Sequence, residues 1–355
     1  MSAKHVGKKF PAAHEHGFTM IEVMVAVGLT AIVAAAAFTI LTTTSKAVVA
    51  NEQVVDTQQD VRIAMELLSR DIKMAGFGNP GVAIGNCTFP IMPADNTPTG
   101  ADTGPDSIQL LVPTTKATGT TPWLLQSATS PNGAATITLR SGAVTDMVAS
   151  GLVNGSYISI NGAYTAQVTA VTPSSNTITV AVPAPIWFPA SAPVYLLQCI
   201  RYQVVINAAV CGSGEPCLTR GVAGVTVGPS AEAPIVEGIE ELQLAYACDG
   251  CVATINGGNP DRIIDNQGGA AGFDQADFIS NNLWTTPPLT PDKIKLVQIA
   301  LVASQPRADA GFGETSKLQI GSAGLGVSGD RTLAANATHR RRMLSKTVDL
   351  RNIGF

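Results

Sequence analysis

The chain has 355 residues, of which 45% are hydrophobic and 14% charged, and its formal net charge at pH 7 is −4. This length is enough for one large domain or two small ones. The 34 glycines and 22 prolines indicate a body rich in strands and loops rather than a helical cytosolic protein. A net acidic chain also argues against broad binding to nucleic acid.

Residues 18–41 form one apolar run near the N-terminus, and Glu22 is its single charged residue. A helix of about 20 apolar residues spans the hydrocarbon core of a bilayer. A carboxylate inside such a helix costs about 2.5–3.5 kcal/mol on insertion scales, so its presence indicates a function. The sequence therefore predicts a transmembrane helix over 18–41 that carries a functional acid. A plain anchor with a tolerated acid is the alternative.

A short basic segment, residues 1–17, precedes this helix and contains three lysines and one acid, Glu15. A basic stretch before an apolar run is the arrangement of a targeting segment, and its positive end is expected to stay cytoplasmic. No Ala-x-Ala site follows Leu41, whereas Gly17 stands directly before the apolar run. Cleavage between Gly17 and Phe18 would remove the leader and leave the apolar helix on the mature chain.

The run GFTMIEV at 17–23 resembles the class III signal of type IV prepilins and type II secretion pseudopilins. In that family a membrane peptidase cleaves after the glycine and methylates the new N-terminus. The resemblance therefore implies cleavage between Gly17 and Phe18 and N-methylation of Phe18. It also fits a role for Glu22 in neutralising the N-terminal amine of a neighbouring subunit, because such a pair costs less in a bilayer than two lone charges.

The helix is expected to continue beyond the membrane to Met74, and glycine and proline at 76–81 are expected to end it. From residue 18 it would be about 85 Å long. Apolar residues recur at three, four or seven positions along one face: Val54, Val61, Met65, Leu68, Ile72 and Ala75. Another face carries Arg62, Glu66 and Arg70 at a spacing of four, which predicts ion pairs on a solvated surface. The predicted helical segment is 18–80.

After residue 81 the sequence alternates with period two between turn clusters, which predicts a largely antiparallel β body over 81–355. Strands are predicted at 107–112, 135–140, 156–160, 165–171, 177–182, 194–206, 242–247, 294–303 and 343–350. Their close spacing predicts an inserted β subdomain of barrel type at about 107–185, within an α+β fold whose long N-terminal helix packs on the sheet. Segments 81–105 and 254–291 are predicted to be long loops.

All six cysteines lie beyond the apolar segment, which predicts disulfides in a translocated body: Cys87, Cys199, Cys211, Cys217, Cys248 and Cys251. Six cysteines allow 15 connectivities. The most favoured single pair is Cys211–Cys217, which flanks a tight loop. The C-x-x-C motif of Cys248 and Cys251 is interpreted as a structural bond, because a redox motif needs a βαβ context and a zinc site needs two further ligands.

Nothing in the sequence predicts an enzyme or a cofactor. Without residues 1–17 the chain keeps one histidine, His339, which excludes sites made of several histidines. The nucleophile elbow, P-loop and zincin motifs do not occur in the sequence, and no G-x-G-x-x-G motif follows a predicted strand. Four acids in the segment 254–291 could bind calcium, but without EF-hand spacing an exposed polar loop is preferred: Asp261, Asp265, Asp274 and Asp277. The run 340–342 of three arginines is interpreted as a solvated edge-strand charge run rather than a contact for nucleic acid or an acidic partner.

Four segments resemble the PilW minor pilins: 62–77, 237–246, 294–303 and 340–352. In that family a V-x-x-I-x-x-L-Q-x-x-Y segment precedes the closing strands, as at 236–246, and the chain ends in a basic strand with Leu-Arg-Asn, as at 350–352. The resemblance implies a minor type IV pilin that primes or joins pilus assembly in a tip-proximal complex.

The implied partners are prepilin peptidase, other minor pilins, the major pilin, the inner-membrane assembly platform and, as a further candidate, a tip adhesin. The implied location is the bacterial inner membrane, with a single pass and a periplasmic body, and then the pilus at the cell surface. One alternative is a minor pseudopilin of a type II secretion system, which shares the N-terminal features. Another, of a different class, is a membrane-anchored periplasmic enzyme or adhesin.

Overall fold

The structure is a computed structural model that describes residues 18–78, 81–96, 103–114, 122–212, 214–223, 231–267, 272–280, 282–308, 318–319, 332–336 and 338–352. The predicted leader, 1–17, lies outside the described residues. By its internal contacts the chain divides into two units, Met1–Glu52 and Gln53–Phe355. The first unit contains the N-terminal part of a long helix, and the second contains the rest of that helix and the strands of the described residues.

Helix α1 runs from Met20 to Met74 and has 55 residues, close to the predicted bounds. Its most apolar window of 18 residues has a mean hydropathy of 2.4, and none of that window is buried. Among the described residues this is the one helix that is long and apolar enough to cross a membrane.

The second part of α1 buries the apolar stripe predicted from the sequence. Val61, Met65, Leu68 and Ile72 are at most 5% exposed. They recur every three or four residues, so they form one helix face. The helix ends before Gly76, which has a φ of 81°, a left-handed conformation that glycine adopts without strain.

Fifteen strands follow among the described residues: β1 Ile91–Ala94, β2 Ser107–Thr114, β3 Trp123–Leu124, β4 Thr136–Thr138, β5 Tyr157–Ile160, β6 Tyr164–Thr172, β7 Thr177–Val180, β8 Pro193–Val205, β9 Cys217–Val222, β10 Ala233–Glu237, β11 Ile239–Cys248, β12 Ile294–Ser304, β13 Leu318–Gln319, β14 Thr332–Leu333 and β15 Arg341–Asp349. Two short helices lie between them, α2 Ala143–Ala149 and α3 Ala208–Cys211. The segment 254–291 contains only single turns of 3-10 helix among its described residues. This agrees with the prediction of a long loop.

Strand β8 is 13 residues long and organises the larger sheet. Its first residues pair with β3 and β5, and its later residues pair with β2 and β9. From β5 the sheet continues through β6 and β7 to β4, while β1 pairs with β2 and β10 pairs with β9. Every one of these pairings is antiparallel. A second sheet has the order β11-β12-β15.

The two largest hydrophobic cores of the described residues both include residues of β8. The first combines the buried face of α1 with residues from both sheets, including Ile108 and Leu110 of β2. The second is formed by residues between Trp123 and Leu196 and includes Met147 of α2. The second core therefore begins after β2 rather than at 107. Around it the pairings β8-β5-β6-β7-β4 continue through the antiparallel bridge Leu125–Leu139 to β3, which pairs with β8, so among the described residues these strands close into a small ring. The predicted α+β fold, with a long helix and antiparallel sheets, is confirmed.

Candidate functional site

The N-terminal end of α1 is closed by reciprocal hydrogen bonds between Thr19 and Glu22. The Thr19 backbone N–H donates to Oε2 of Glu22 at 2.9 Å, and the Thr19 hydroxyl donates to the same oxygen at 3.0 Å. The Glu22 N–H donates in return to the Thr19 hydroxyl at 3.3 Å. Sequence reasoning overlooked this capping box, although the spacing Thr-x-x-Glu before an apolar run is its signature.

The capping box leaves one carboxylate oxygen of Glu22 available. The bonds to Thr19 use Oε2, and no hydrogen bond to Oε1 is present within the part of the chain that the structure describes. The predicted processing residues lie just before: Gly17 is outside the described residues, and Phe18 is 87% exposed. Oε2 of Glu22 can therefore cap its own helix, while Oε1 can still pair with a cationic group of another subunit.

A buried polar cluster joins α1 to the larger sheet. The Asp71 carboxylate accepts a hydrogen bond from the Tyr202 hydroxyl at 2.6 Å and another from Nε of Arg220 at 2.8 Å. Burial, and then the charge of Asp71, raises the pKa of Tyr202 well above its ordinary value. Sequence reasoning missed this cluster, although Asp71 lies three residues after Leu68, on the apolar stripe. A carboxylate in that position needs buried donors.

The structure joins all six cysteines in pairs: Cys87–Cys199, Cys211–Cys217 and Cys248–Cys251. The pair that the sequence favoured, Cys211–Cys217, links α3 to the start of β9. Sequence alone could not select the first pair, which joins the segment after α1 to the middle of β8.

The third pair has a buried carboxylate beside it. The two sulfurs and an oxygen of Asp265 lie within 4.8 Å of one another. The same carboxylate accepts backbone hydrogen bonds from Gly250 at 3.1 Å and from Cys251 and Val252 at 2.9 Å each. Structural zinc takes four ligands, whereas this group offers three, two of which are already joined in a disulfide. The arrangement is that of a loop fixed by an aspartate.

The other predicted acids of the segment 254–291 also bind backbone N–H groups. Asp261 accepts from Ile263 at 3.0 Å and Asp274 accepts from Ala276 at 2.8 Å. Asp277 accepts from the backbone of Asp274 at 2.6 Å. The prediction of an exposed polar loop is wrong for Asp265 and Asp277, which are 3% and 0% exposed. Buried carboxylates are tolerated there because backbone donors satisfy them.

The start of β15 differs from its prediction as a solvated charge run. Nε and Nη2 of Arg341 each donate to a carboxylate oxygen of Glu240 at 2.7 Å, and the arginine side chain is 7% exposed. Such a bidentate pair fixes the strand to its sheet. His339 is half-buried next to this strand, and its Nδ1 lies 2.8 Å from the Thr338 hydroxyl.

A groove of about 820 Å³ lies between the end of α1 and β15. Five basic residues line it: Arg62, Arg70, Lys73, Lys346 and Arg351. One acid, Glu66, also lines it, but the ion pairs expected within the set Arg62, Glu66 and Arg70 are not among those of the described residues. Asn352 closes one end, where its side-chain amide donates to the Lys73 carbonyl at 2.9 Å.

Comparison with known proteins gives two family matches. Residues 13–38 match the model described as the prokaryotic N-terminal methylation motif. Residues 202–352 match the model described as Type IV Pilus-assembly protein W. No curated protein matches the chain. Among solved structures, a type IV-like pilin from Thermus thermophilus is 12% identical, with a TM-score of 0.35, over 84% of this chain and 98% of that chain.

By these two matches the chain is similar to type IV minor pilins, with an N-methylation motif at its start and a PilW region in its second half. The resemblance that the sequence predicted is thereby confirmed. The PilW match covers β9 to β15, including the paired Arg341 and the β15 side of the groove, whereas α1 and the inserted β region before residue 202 lie outside it.

Proposed function

We propose that this minor pilin is cleaved after Gly17 by prepilin peptidase, methylated at Phe18, and then primes or joins pilus assembly in a tip-proximal complex. The observation that carries the proposal is the methylation motif at 13–38, which overlaps the start of a helix whose most apolar window has no buried residue. A fully exposed apolar helix surface is unfavourable in water, so it needs lipid or the helices of other subunits to cover it.

The proposed mechanism is assembly rather than catalysis. The apolar helix holds the subunit in the inner membrane, with a single pass and the body in the periplasm, and later packs against other subunits. Oε1 of Glu22 neutralises the N-terminal amine of a neighbour. The proposed assembly partners are the other minor pilins, the major pilin, the inner-membrane platform and a tip adhesin.

The alternative is a minor pseudopilin of a type II secretion system. The N-terminal features fit both functions, whereas the match of residues 202–352 to a pilus-assembly family favours the pilus. A deletion strain separates the two. Loss of pili with normal protein secretion supports the proposal, and loss of secretion with normal pili supports the alternative.

Mass spectrometry tests the processing step. The protein purified from membranes should begin at methylated Phe18, and a bulky residue in place of Gly17 should leave the leader attached. An intact leader on the wild-type protein would contradict the proposal.

Substitutions at Glu22 separate its two roles. Glu22→Gln keeps a side chain that can complete the capping box but removes the charge, whereas Glu22→Ala removes both. If the charge pairs with a neighbour, both variants should stay in the membrane and enter sheared pili poorly. The matched control Thr19→Ala weakens the cap by about 1 kcal/mol and keeps the charge, so it should enter pili nearly normally. Normal entry of Glu22→Gln would show that Glu22 acts only as a cap.

A further inference from the structure

The groove between α1 and β15 concentrates positive charge on an acidic chain. The full sequence has a net charge of −4, yet five basic side chains and a single acid line this groove. Arg62, Arg70, Lys346 and Arg351 are exposed, and Lys73 is half-buried. The groove therefore presents a local positive field that would attract an acidic partner.

The floor of the groove is apolar and contains one unsatisfied polar atom. Met65, Phe77 and Leu344 are buried or half-buried and line it. The hydroxyl of Ser69 also lines it, is 2% exposed as a residue, and has no hydrogen-bond partner among the described residues. A buried hydroxyl without a partner is unfavourable, so a ligand that accepts its hydrogen bond would gain affinity.

We propose that this groove binds an acidic, amphipathic helix of a neighbouring pilin-type subunit, one that carries two carboxylates a single turn apart. The inference rests on the assembly function proposed above. An amphipathic helix would cover the apolar floor and place its carboxylates against the basic rim and the Ser69 hydroxyl. The phosphate backbone of a nucleic acid would meet the basic rim but leave the apolar floor uncovered.

Helix α1 of this chain carries an acidic pair of the kind that the groove would bind. Asp56 and Asp60 are one turn apart on α1. Burial, and then the charges of Asp56 and Glu237, raises the pKa of Asp60. Carboxylates crowded in this way would be stabilised by cations from another subunit.

The spacing along the helix sets the geometry of the contact. Subunits that share the same kind of membrane anchor have parallel helices. At equal height, the acids at 56 and 60 would face the same acids of the neighbour. A displacement of about 20 Å along the axis, or 13 to 14 residues, brings them beside Arg70 and Lys73. The proposed contact therefore requires neighbours that are displaced along the helix axis.

Chemical coupling in sheared pili tests this contact. Pili from cells that express the full chain are treated with a water-soluble carbodiimide, which joins a lysine amine to a touching carboxylate as an amide. The carbodiimide takes up the elements of water and leaves as a urea. Mass spectrometry should find Lys73 or Lys346 linked to an acid on the helix of another pilin subunit. A second copy of this chain would satisfy the same chemistry. The double variant Lys73→Arg with Lys346→Arg keeps the charge but removes both amines, so it should lose the links.

Charge reversal provides the functional measurement. Arg70→Glu with Lys346→Glu should lower the amount of protein in sheared pili about tenfold, because like charges would then face each other. Arg307→Glu, an exposed reversal outside the groove, should enter normally. Membrane abundance and leader cleavage serve as controls for folding and processing.

The outcomes separate this inference from the proposed function. Normal entry of the double reversal, or lysine links only to the chain's own body, would overturn the groove inference and leave the pilin function standing. Binding of the detergent-purified chain to double-stranded DNA, lost in the double reversal, would instead assign the groove to nucleic acid. A wild-type chain that is cleaved but never reaches pili would count against the proposed function itself.

Discussion

The Asp71 carboxylate is expected to be the most sensitive polar group in the attachment of α1 to the sheets. It is 7% exposed and accepts hydrogen bonds from Tyr202 and Arg220. Asp71→Ala leaves the tyrosine hydroxyl buried without an acceptor and removes the partner of the guanidinium. Breaking a buried pair on one side costs about 3–5 kcal/mol. Because the Arg220 side chain is 37% exposed and can recover hydration, we expect the lower end, about 3 kcal/mol.

Two further variants calibrate this value. Asp71→Asn keeps an acceptor for Tyr202 but loses the charge, so it should cost less, about 1–2 kcal/mol. Arg70→Ala changes the adjacent exposed side chain and should alter the free energy of unfolding by no more than about 0.5 kcal/mol.

The assay is urea unfolding of the full chain in detergent, followed by the fluorescence of the buried Trp123 and Trp284. The midpoint should fall clearly for Asp71→Ala and only slightly for Arg70→Ala. A domain of this size loses about 2 °C or more of melting temperature per kcal/mol, so a thermal scan should show a decrease of about 6 °C. If Asp71→Ala unfolds at the midpoint of Arg70→Ala, the carboxylate does not hold the helix and the reasoning is wrong.

Two other predictions concern pH and the disulfides. The pKa of Tyr202 is raised above its ordinary value of 10, so the native state keeps this proton when the unfolded chain loses it. The free energy of unfolding should therefore fall above pH 10. Tyr202→Phe should make that fall shallower by up to about 1.4 kcal/mol per pH unit in urea titrations. The Cys87–Cys199 bond spans 112 residues and Cys211–Cys217 spans 6. Replacing both cysteines of a pair by serine should therefore cost about 5 kcal/mol for the first and about 2 kcal/mol for the second, and equal losses would refute the loop-entropy reasoning.

The long helix and the smaller sheet could be predicted because their patterns are local. The stripe that includes Val61, Leu68 and Ile72 repeats at helical spacing, and these residues are the buried ones. The predicted strands 242–247 and 294–303 lie inside the observed β11 and β12, whose residues are almost all buried. Long, nearly continuous apolar runs are typical of strands that are buried on both faces, so the sequence pattern alone predicts these strands.

Strands β9 and β10 were not predicted because long-range contacts stabilise them. Strand β9 contains Gly221, and a glycine inside a strand is an unfavourable local signal. In the structure a Cβ at Gly221 would collide with the backbone of Glu232, so the close approach of the segment before β10 requires glycine there. Strand β10 contains Pro234 and lies at the edge beyond β9, where proline is tolerated. Neither reason is visible without the partner strand.

The site residues also divide into those that depend on local sequence and those that depend on contacts between distant segments. The capping box at 19–22 is visible in the sequence, since it depends on four consecutive residues. The groove combines Arg70 of α1 with Lys346 of β15, and the first disulfide joins Cys87 to Cys199. Such pairs depend on the register of the sheets, which the sequence pattern does not specify at this separation.

In the last turns of α1, one residue lines the groove and the next residue attaches the helix to the larger sheet. Arg70 is exposed and lines the groove, whereas Asp71, about 100° further around the helix, is buried and bonded to β8. Asn352 holds the Lys73 carbonyl at the end of the same helix. A partner that binds the basic side of this helix therefore acts on a segment fixed to the larger sheet through Asp71 and to the end of the chain through Asn352. If the groove binds a neighbour, the contact would position the whole body, and Asp71→Ala should weaken entry into pili even where Arg70 and Lys73 are intact.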